Sequence, residues 1–308
     1  MSKKAFFFVD DVIWCLRDVA ETRPESIFQA PYFNMLKKAH DKYGLRIQLN
    51  LFYRTDFFYG SKEFTLKDMP DCYKDEFKAN SDWLKFAFHA KQEFPDYPYI
   101  NAEYDDVKQD FLDIQREVFR FAAPECFAYS LIPHWLPVSK DACRALADCG
   151  TKYISPSSGD TEEYNGDPSS LPYGHAMRLL QNRKPETKIF IRPGLNKAIS
   201  RSLSGYNHIS QEAHDKTFWN MDYVTDKETG VRFKKLGHGY ALNLRKLDTL
   251  ASELQVNMDK EFIGIGNHEQ YFYSDYLAYQ PDYADKLYVA CDTVVKNGYE
   301  FIFADEID

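Results

Sequence analysis

Residues Ala5–Val12 read AFFFVDDV, an apolar run that ends in two adjacent carboxylates. Because the run shows no alternation before Asp10, it predicts a strand buried on both faces, as in a parallel α/β sheet. Functional groups collect at the carboxyl ends of such strands, so Asp10 and Asp11 are candidate site residues. Adjacent carboxylates repel, so we expect one to need a cation while the other moves a proton. If Asp10 and Asp11 are considered without the rest of the chain, the alternative to a functional site is that they cap a helix or lie in a solvated loop after the strand.

Composition predicts a folded chain whose partner is uncharged. The 308 residues are 44% hydrophobic and 28% charged, enough for a full core in one large domain or two small ones. The net charge of −9 argues against a nucleic-acid or anionic-membrane surface, which would need basic patches. A small neutral molecule or a glycan fits better, and the 22 Tyr, 24 Phe and 4 Trp suit sugar rings as well as cores.

The ends and cysteines of the chain predict its compartment. The first apolar run follows directly after Met1–Lys4, and this run is too short for the core of a signal peptide. No stretch of the sequence approaches the about 18 apolar residues that a membrane span needs. Six cysteines lack C-x-x-C spacing, so neither a zinc ribbon nor a disulfide framework is indicated. We expect a soluble, cytoplasmic protein with reduced thiols. The sequence does not predict its oligomeric state.

Strand-like and helix-like segments alternate along the chain, which predicts a distorted β/α barrel of seven or eight units. The predicted strands are 5–12, 45–53, 83–89, 126–132, 152–155, 188–192, 262–266 and 301–304. The predicted helices are 32–43, 105–121, 139–150, 242–254 and 282–296.

One segment, about 157–240, breaks this rhythm. It is rich in Gly, Ser, Asn, Asp and Pro, which predicts long insertions over the carboxyl-terminal rim of the barrel. Its histidines His208, His214 and His238 have no partner set and are interpreted as surface residues. With no repeats and no linker, we expect one domain over 1–308.

Further strand ends carry imidazoles. His89, His134 and His268 each end or follow a predicted strand, so four strands bring acids and histidines to one rim together with Asp10 and Asp11. Such ligands from separate strands suit a zinc-like ion with an open position for water. For any one of these histidines alone, the alternative is a hydrogen-bonded structural residue.

The order of these residues resembles the polysaccharide deacetylase superfamily, carbohydrate esterase family 4, within the wider glycoside hydrolase/deacetylase fold. Its first strand ends in Thr-Phe-Asp-Asp-Gly, and residues 8–12, FVDDV, are similar but lack the glycine. The resemblance implies that Asp10 is the general base and that Asp11 binds the metal.

Two further motifs are similar with substitutions. The family's His-(Ser/Thr)-x-x-His corresponds to residues 89–93, where Glu93 replaces the second histidine, and glutamate also binds zinc or harder ions. The family's Arg-x-Pro-Tyr-Gly corresponds to residues 132–136, IPHWL, without the arginine. There His134 is a candidate replacement ligand, the alternative being a stacked or capped loop histidine.

The last motif of the family is a strand that ends in Leu-x-His and is followed by a helix, a Gly-Tyr turn and a closing strand. Residues 263–268, IGIGNH, and the turn at 297–299 are similar, which implies that His268 is the general acid. The resemblance covers residues 5–155 and 260–307.

The resemblance implies a metal-dependent hydrolase, with zinc as the expected metal, that removes an acetyl group from a carbohydrate. One alternative is a glycoside hydrolase of the same fold, in which Asp10 pairs with Glu269 or Glu306. Another is a carbohydrate-binding protein on a degraded catalytic frame. Glu269 would otherwise orient His268 or face solvent.

Substrate contacts are predicted for one arginine and four aromatic residues. Arg192 ends a predicted strand and is a candidate for the missing motif arginine, the alternative being a structural salt bridge. Trp135 and Tyr271 follow strand ends and are candidates for stacking on sugar, as are Trp219 and Tyr273, with core packing as the default.

Overall fold

A computed structural model of the chain describes residues 2–55, 63–94, 98–99, 102–136, 138–156 and 216–307. The strands are β1 (Lys3–Val12), β2 (Ile47–Phe52), β3 (Leu84–Ala90), β4 (Ser130–Leu131), β5 (Tyr153–Ile154), β6 (Val224–Thr225), β7 (Arg232–Phe233), β8 (Tyr240–Ala241), β9 (Phe262–His268) and β10 (Tyr299–Ile302). The α-helices are α1 (Trp14–Thr22), α2 (Pro31–Tyr43), α3 (Lys74–Ala79), α4 (Tyr104–Phe121), α5 (Lys140–Asp148), α6 (Leu247–Gln255) and α7 (Tyr283–Lys296).

Strand β1 is the centre of a parallel sheet with the order β3-β2-β1-β9-β8. On one edge β1 pairs with β9 from Lys4 to Asp10. Its other edge is shared, because β10 pairs with the first half of β1 and β2 with the second half. The carboxyl ends of β2 and β9 therefore flank Asp10 from both sides.

A smaller sheet continues this arrangement beyond β3. Its order is β4-β5-β7-β6, with parallel pairs except for the antiparallel β6 and β7. A parallel bridge between Phe86 and Phe127 joins the two sheets, and the backbone N–H of His134 donates to the His89 carbonyl at 3.2 Å. The mixed α/β architecture with a parallel sheet is confirmed, whereas closure into a barrel and the number of strands stay predictions.

The glycines of β9 are required by the packing of the sheet. A Cβ on Gly266 would lie 2.5 Å from Cζ of Phe8, and a Cβ on Gly264 would lie 1.6 Å from the Leu236 carbonyl oxygen. Both distances are shorter than any ordinary contact, so a side chain at 266 would displace the Phe8 ring of β1, and a side chain at 264 would displace the Leu236 backbone that precedes β8. Glycine at these two positions thus lets β9, which carries His268, pack closely against the segments on both of its sides.

The structure corrects several expectations for individual elements. The strand predicted at 45–53 is β2 at Ile47–Phe52, and both of its faces are buried, including the side chains of Gln48 and Asn50. Helices α1 and α3 were not predicted, and the strand expected at 126–132 is regular only at Ser130–Leu131. The closing strand lies at Tyr299–Ile302 instead of 301–304.

The expected insertion is described only in part. Residues 157–215, including the predicted strand 188–192, His208 and His214, lie outside the described residues. The remainder supplies β6, β7 and the approach to β8. The surface interpretation of His238 is wrong, because its buried ring stacks on Trp219 with centroids 4.6 Å apart. In the described part of the chain, no helix has the length and apolarity to cross a membrane.

Candidate metal centre

The two carboxylates at the end of β1 reach the same region because the strand is irregular there. The register between β1 and β2 shifts between Val9 and Val12, and Asp11 has a φ of 61°. In a regular strand, adjacent side chains point to opposite faces. The left-handed backbone at Asp11 breaks that alternation, an uncommon conformation for a residue other than glycine.

Three buried side chains meet at this point, and we call Asp11, His89 and His134 the ligand trio. Nε2 of His89 lies 3.1 Å from Oδ1 of Asp11, and Nδ1 of His134 lies 3.2 Å from the same oxygen. The two ring nitrogens are 3.1 Å apart. Within the described residues, this is the set of His, Cys, Asp and Glu side chains compact enough to hold a metal ion.

The other nitrogen of each ring fixes which atom faces the centre. Nδ1 of His89 donates to the Ile132 carbonyl oxygen at 2.5 Å, and Nε2 of His134 donates to the Glu93 carbonyl oxygen at 2.9 Å. Carbonyl oxygens only accept, so in a neutral ring the nitrogen that faces Asp11 carries a lone pair. Such outer hydrogen bonds hold metal-binding histidines in their ligand tautomer.

The donor set fits a divalent cation. The three facing atoms, Oδ1 of Asp11, Nε2 of His89 and Nδ1 of His134, are each about 1.8 Å from the point midway between them. This distance is slightly shorter than the about 2.0–2.2 Å bonds that zinc makes to nitrogen and oxygen. The second carboxylate oxygen of Asp11, Oδ2, is buried without a hydrogen-bond partner. Two imidazoles and one carboxylate are a ligand set that zinc uses in hydrolytic sites.

The charges of the trio point to an ionised carboxylate and a shared proton when no cation is bound. Burial acts to raise the pKa of Asp11, but the contacts with His134 and His89 outweigh it and hold the pKa well below its usual value. Burial lowers the pKa of His134. For His89, burial acts in the same direction, but Asp10 and Asp11 together raise the pKa of its ring.

Asp10 lies beside the trio without being part of it. Its Oδ1 accepts a hydrogen bond from the Asn50 amide at 2.6 Å and lies 3.7 Å from Nδ1 of His89. Gln48 in turn donates to Oδ1 of Asn50 at 2.7 Å and so orients its amide. Burial raises the pKa of Asp10 to about 7, against the opposing effect of His89.

His268 approaches the same region from β9. Its Nδ1 lies 3.0 Å from Oδ1 of Asn243, and its Nε2 lies 3.9 Å from Oδ2 of Asp11. Asn243 thus holds the ring with Nε2 toward the trio. Sequence reasoning missed Asn243, because it placed this residue inside a predicted helix at 242–254, whereas the residue lies in a short turn before α6, which begins at Leu247.

The remaining predicted site residues are placed differently. The Glu93 carboxylate is outside the ligand trio and accepts a hydrogen bond from Gln270 at 3.3 Å. Trp135 is half-buried with its ring centroid 6.0 Å from that of His134. Tyr271 is fully buried edge-on to His268, so its ring faces are closed to a sugar. Arg192 lies outside the described residues.

Two acids considered as partners of Asp10 are engaged elsewhere. Glu269 accepts hydrogen bonds of 2.7 Å from the backbone N–H groups of Ile13, Trp14 and Cys15, and so caps the start of α1. Glu306 forms a bidentate ion pair with Arg46, which precedes β2 at the opposite edge of the sheet.

Comparison with known proteins gives likeness in fold. No protein-family model matches the sequence, and no curated protein matches it. A structure of 4-alpha-glucanotransferase from Thermococcus litoralis is similar, with a TM-score of 0.56 and 9% identity over 100% of this chain. The chain spans 40% of the length of that enzyme. The Xyl-CE4 domain of a multidomain xylanase from the hindgut metagenome of Trinervitermes trinervoides has a TM-score of 0.40 and 10% identity, over 100% of this chain and 90% of the domain. At these identities the first likeness concerns the fold alone.

Proposed function

We propose that the chain is a metal-dependent hydrolase that removes an acyl group, with acetyl as the first choice, from a carbohydrate. The observation that carries this proposal is the buried ligand trio, in which two imidazole nitrogens and a carboxylate oxygen face one another at 3.1–3.2 Å. Three acceptors at this distance need either a proton or a metal cation between them. Asp10 and His268 add two groups that can move protons.

Asp11, His89 and His134 would hold the ion, and zinc is the expected metal because two nitrogens and one carboxylate oxygen suit it. When bound, such an ion supplies Lewis-acid activation of an acyl oxygen and of a water molecule. The ionised state of Asp11 and the outer hydrogen bonds of both rings prepare this ligand set.

Asp10 is the general base in this proposal. The Asn50 amide occupies its Oδ1, which leaves Oδ2 to take a proton from the attacking water. Burial raises the pKa of Asp10 above its ordinary value, which favours a carboxylate that can accept this proton and give it up again. The new bond joins the water oxygen to the acyl carbon.

His268 is the general acid in this proposal. Asn243 holds its Nδ1, so that Nε2 points toward Asp11 and the reacting region. The bond between the acyl carbon and the sugar nitrogen or oxygen breaks, and the protonated ring gives its proton to that leaving atom. The products are a carboxylate and a free amine or hydroxyl on the sugar.

Carbohydrate as the substrate is supported by the sequence motifs, by the net charge of −9, and by half-buried Trp135 beside His134. A neutral glycan, and neither nucleic acid nor a membrane, is the proposed partner. The glycosidase alternative receives no support from the carboxylates, since Glu269 caps a helix and Glu306 pairs with Arg46.

Elemental mass spectrometry on untagged protein tests the metal centre. Wild-type protein should carry close to one equivalent of metal, or take it up from added zinc, and the variants Asp11→Asn and His89→Ala should lose it. Asp41→Asn and His40→Ala, which change the same residue types at the end of α2, should keep it. A wild type that cannot be loaded with any divalent metal overturns the proposal. Release of acetate from acetylated sugars by the loaded enzyme then tests the reaction.

A further inference from the structure

The Glu269 carboxylate joins two strand ends of the candidate metal centre. Glu269 follows directly after His268 at the end of β9, and its side chain is buried. Oε2 accepts hydrogen bonds from the N–H groups of Ile13 and Trp14, and Oε1 accepts one from Cys15, each at 2.7 Å. These three residues come just after β1. The reaction proposed above gives Glu269 no part, although it connects the two strands that carry most of the reacting groups.

The turn before these three residues has an unfavourable backbone. Asp11 has a φ of 61°, a conformation that costs free energy in residues other than glycine and persists only where the surroundings fix the chain. Before the turn, β1 is paired with β9 as far as the preceding residue. After the turn, Val12 pairs with Leu51, and the next three N–H groups bind Glu269. Glu269 is therefore one of the contacts that hold the turn.

Helix α1 has no acceptor of its own that could replace this contact. The first N–H groups of a helix have no partner within the helix. The N-cap residue is Ile13, whose side chain cannot accept a hydrogen bond, and the first turn contains no acid. Without the Glu269 carboxylate, three buried N–H groups would lose their acceptor, and the chain between them and Asp11 could relax.

The turn decides where the Asp11 carboxylate lies. In a regular strand, the side chain of Asp11 would point to the opposite face from that of Asp10. The two imidazoles do not depend on the turn, because His89 and His134 are each held by a backbone carbonyl oxygen from another segment. Relaxation at the start of α1 would therefore move one member of the ligand trio away from the other two.

We propose that Glu269 is a positioning residue for the metal centre, because its three hydrogen bonds hold the turn that aims Asp11 at the other members of the ligand trio. The proposal rests on the proposed function in taking the trio to bind a metal ion. Glu269 itself touches neither the ion nor the substrate. It acts on the ligand Asp11 and not on the ring of His268, which Asn243 holds.

Zinc affinity of Glu269→Gln tests the proposal. Glutamine has the size of glutamate, but its amide NH₂ cannot accept a hydrogen bond, so at least one N–H group of α1 loses its acceptor. Zinc affinity should fall about tenfold to hundredfold, as for other residues that position a metal ligand without touching the ion. Competition with a chromophoric chelator measures it on the full chain. Burial raises the pKa of Glu269 to about 7, so the titrations are made at pH 8, where the carboxylate is ionised.

Glu117→Gln is the matched control. Glu117 is also a buried glutamate, but it pairs with Arg120 on α4. Both variants should lose stability in urea denaturation, and only Glu269→Gln should lose zinc affinity. The visible spectrum of bound cobalt, which reports the ligand arrangement, should likewise change only in Glu269→Gln. A merely structural role would leave the zinc affinity and the cobalt spectrum of the folded variant as in the wild type, and that result overturns the proposal.

Amide hydrogen exchange gives a measurement that needs no variant. If Glu269 holds the turn before the ion arrives, the N–H groups of Ile13, Trp14 and Cys15 are already protected in the metal-free wild type. Exchange at the rate of an unstructured chain, slowed only by added zinc, would mean that the ion orders the turn, which overturns the proposal. This measurement decides the question even if Glu269→Gln does not fold.

Failure of this proposal is distinguishable from failure of the proposed function. A wild type that takes up no divalent metal refutes the hydrolase. A wild type that binds zinc, with Glu269→Gln binding it equally well, leaves the hydrolase standing and refutes the positioning role of Glu269.

Discussion

Nε2 of His89 lies 3.1 Å from Nδ1 of His134, and each ring donates from its other nitrogen to a backbone carbonyl. In neutral rings, both facing nitrogens are acceptors and both also face Oδ1 of Asp11. Without a cation, a proton on His89 must fill this position, which agrees with the raised pKa of that ring. A metal ion bound here, as proposed, would displace that proton.

Zinc affinity should rise with pH. Because carboxylates raise the pKa of His89, the ring stays protonated at acid pH and zinc must displace that proton. Below the raised pKa we expect up to about tenfold tighter binding per pH unit, with release of about one proton. Competition titrations at pH 6 and pH 8, with calorimetry in two buffers of different ionisation enthalpy, measure both quantities. Equal affinity at the two pH values would contradict the shared-proton arrangement.

Asn50→Leu should lower the rate of acyl hydrolysis without loss of metal. The substitution removes the 2.6 Å hydrogen bond that positions Asp10 but touches no member of the ligand trio. We expect kcat to fall about 10²-fold, the usual contribution of a positioned general base, while metal content stays near one equivalent. Steady-state kinetics and elemental analysis on the same preparation check this. An unchanged kcat would remove Asn50 and Asp10 from the mechanism.

Glu269→Ala should destabilise the fold. The carboxylate accepts hydrogen bonds from three buried backbone N–H groups at the start of α1, and alanine would leave all three without that acceptor. We expect a loss of about 2–4 kcal/mol in the free energy of unfolding. Urea denaturation of this variant beside Glu300→Ala, an exposed glutamate paired with Lys4, gives the comparison. Equal stability of the two variants would argue against the cap.

Lys234→Met should stabilise the fold at neutral pH. Nζ of this buried residue donates to the Thr217 carbonyl oxygen at 2.7 Å, and burial lowers the pKa of its ammonium group to about 7 from 10.5. Between these values the unfolded chain binds more protons than the native one, so the cost of burying Lys234 is full below pH 7 and disappears above pH 10.5.

We therefore expect Lys234→Met to gain about 1–3 kcal/mol at pH 7 and progressively less as pH rises toward 10. Denaturation at pH 7 and pH 9.5 measures the difference, and Lys296→Met on the surface is the control. A gain that is the same at both pH values would mean that charge burial is not its cause.

Part of the site could be read from residue order, and part could not. The apolar run before Asp10 and the histidines after strands predict neighbours at one edge, because parallel strands end on the same side of a sheet. Asn243 and the polar residues Gln48 and Asn50 gave no such signal. Their significance depends on contacts between β1, β2 and the turn before α6, which lie far apart in sequence.

Helix α1 shows the same limit for secondary structure. Its first residues follow β1 without a side-chain cap of their own, and the acceptor for their N–H groups is Glu269, more than 250 residues away. A local pattern cannot contain such a cap. The glycines at 264 and 266 are required because Phe8 and the Leu236 carbonyl fill the space that their side chains would take, a contact that no local pattern contains.

The sequence by itself determined the alternation of strands and helices, the buried character of β1, and which strand ends carry acids and imidazoles. These are local properties, set by burial periodicity and by the direction of each strand. Only the tertiary structure decided that Asp11, His89 and His134 meet while the Glu93 carboxylate turns to Gln270. That choice depends on the left-handed turn at Asp11 and on carbonyl partners from other segments, which orient each ring after the chain has folded.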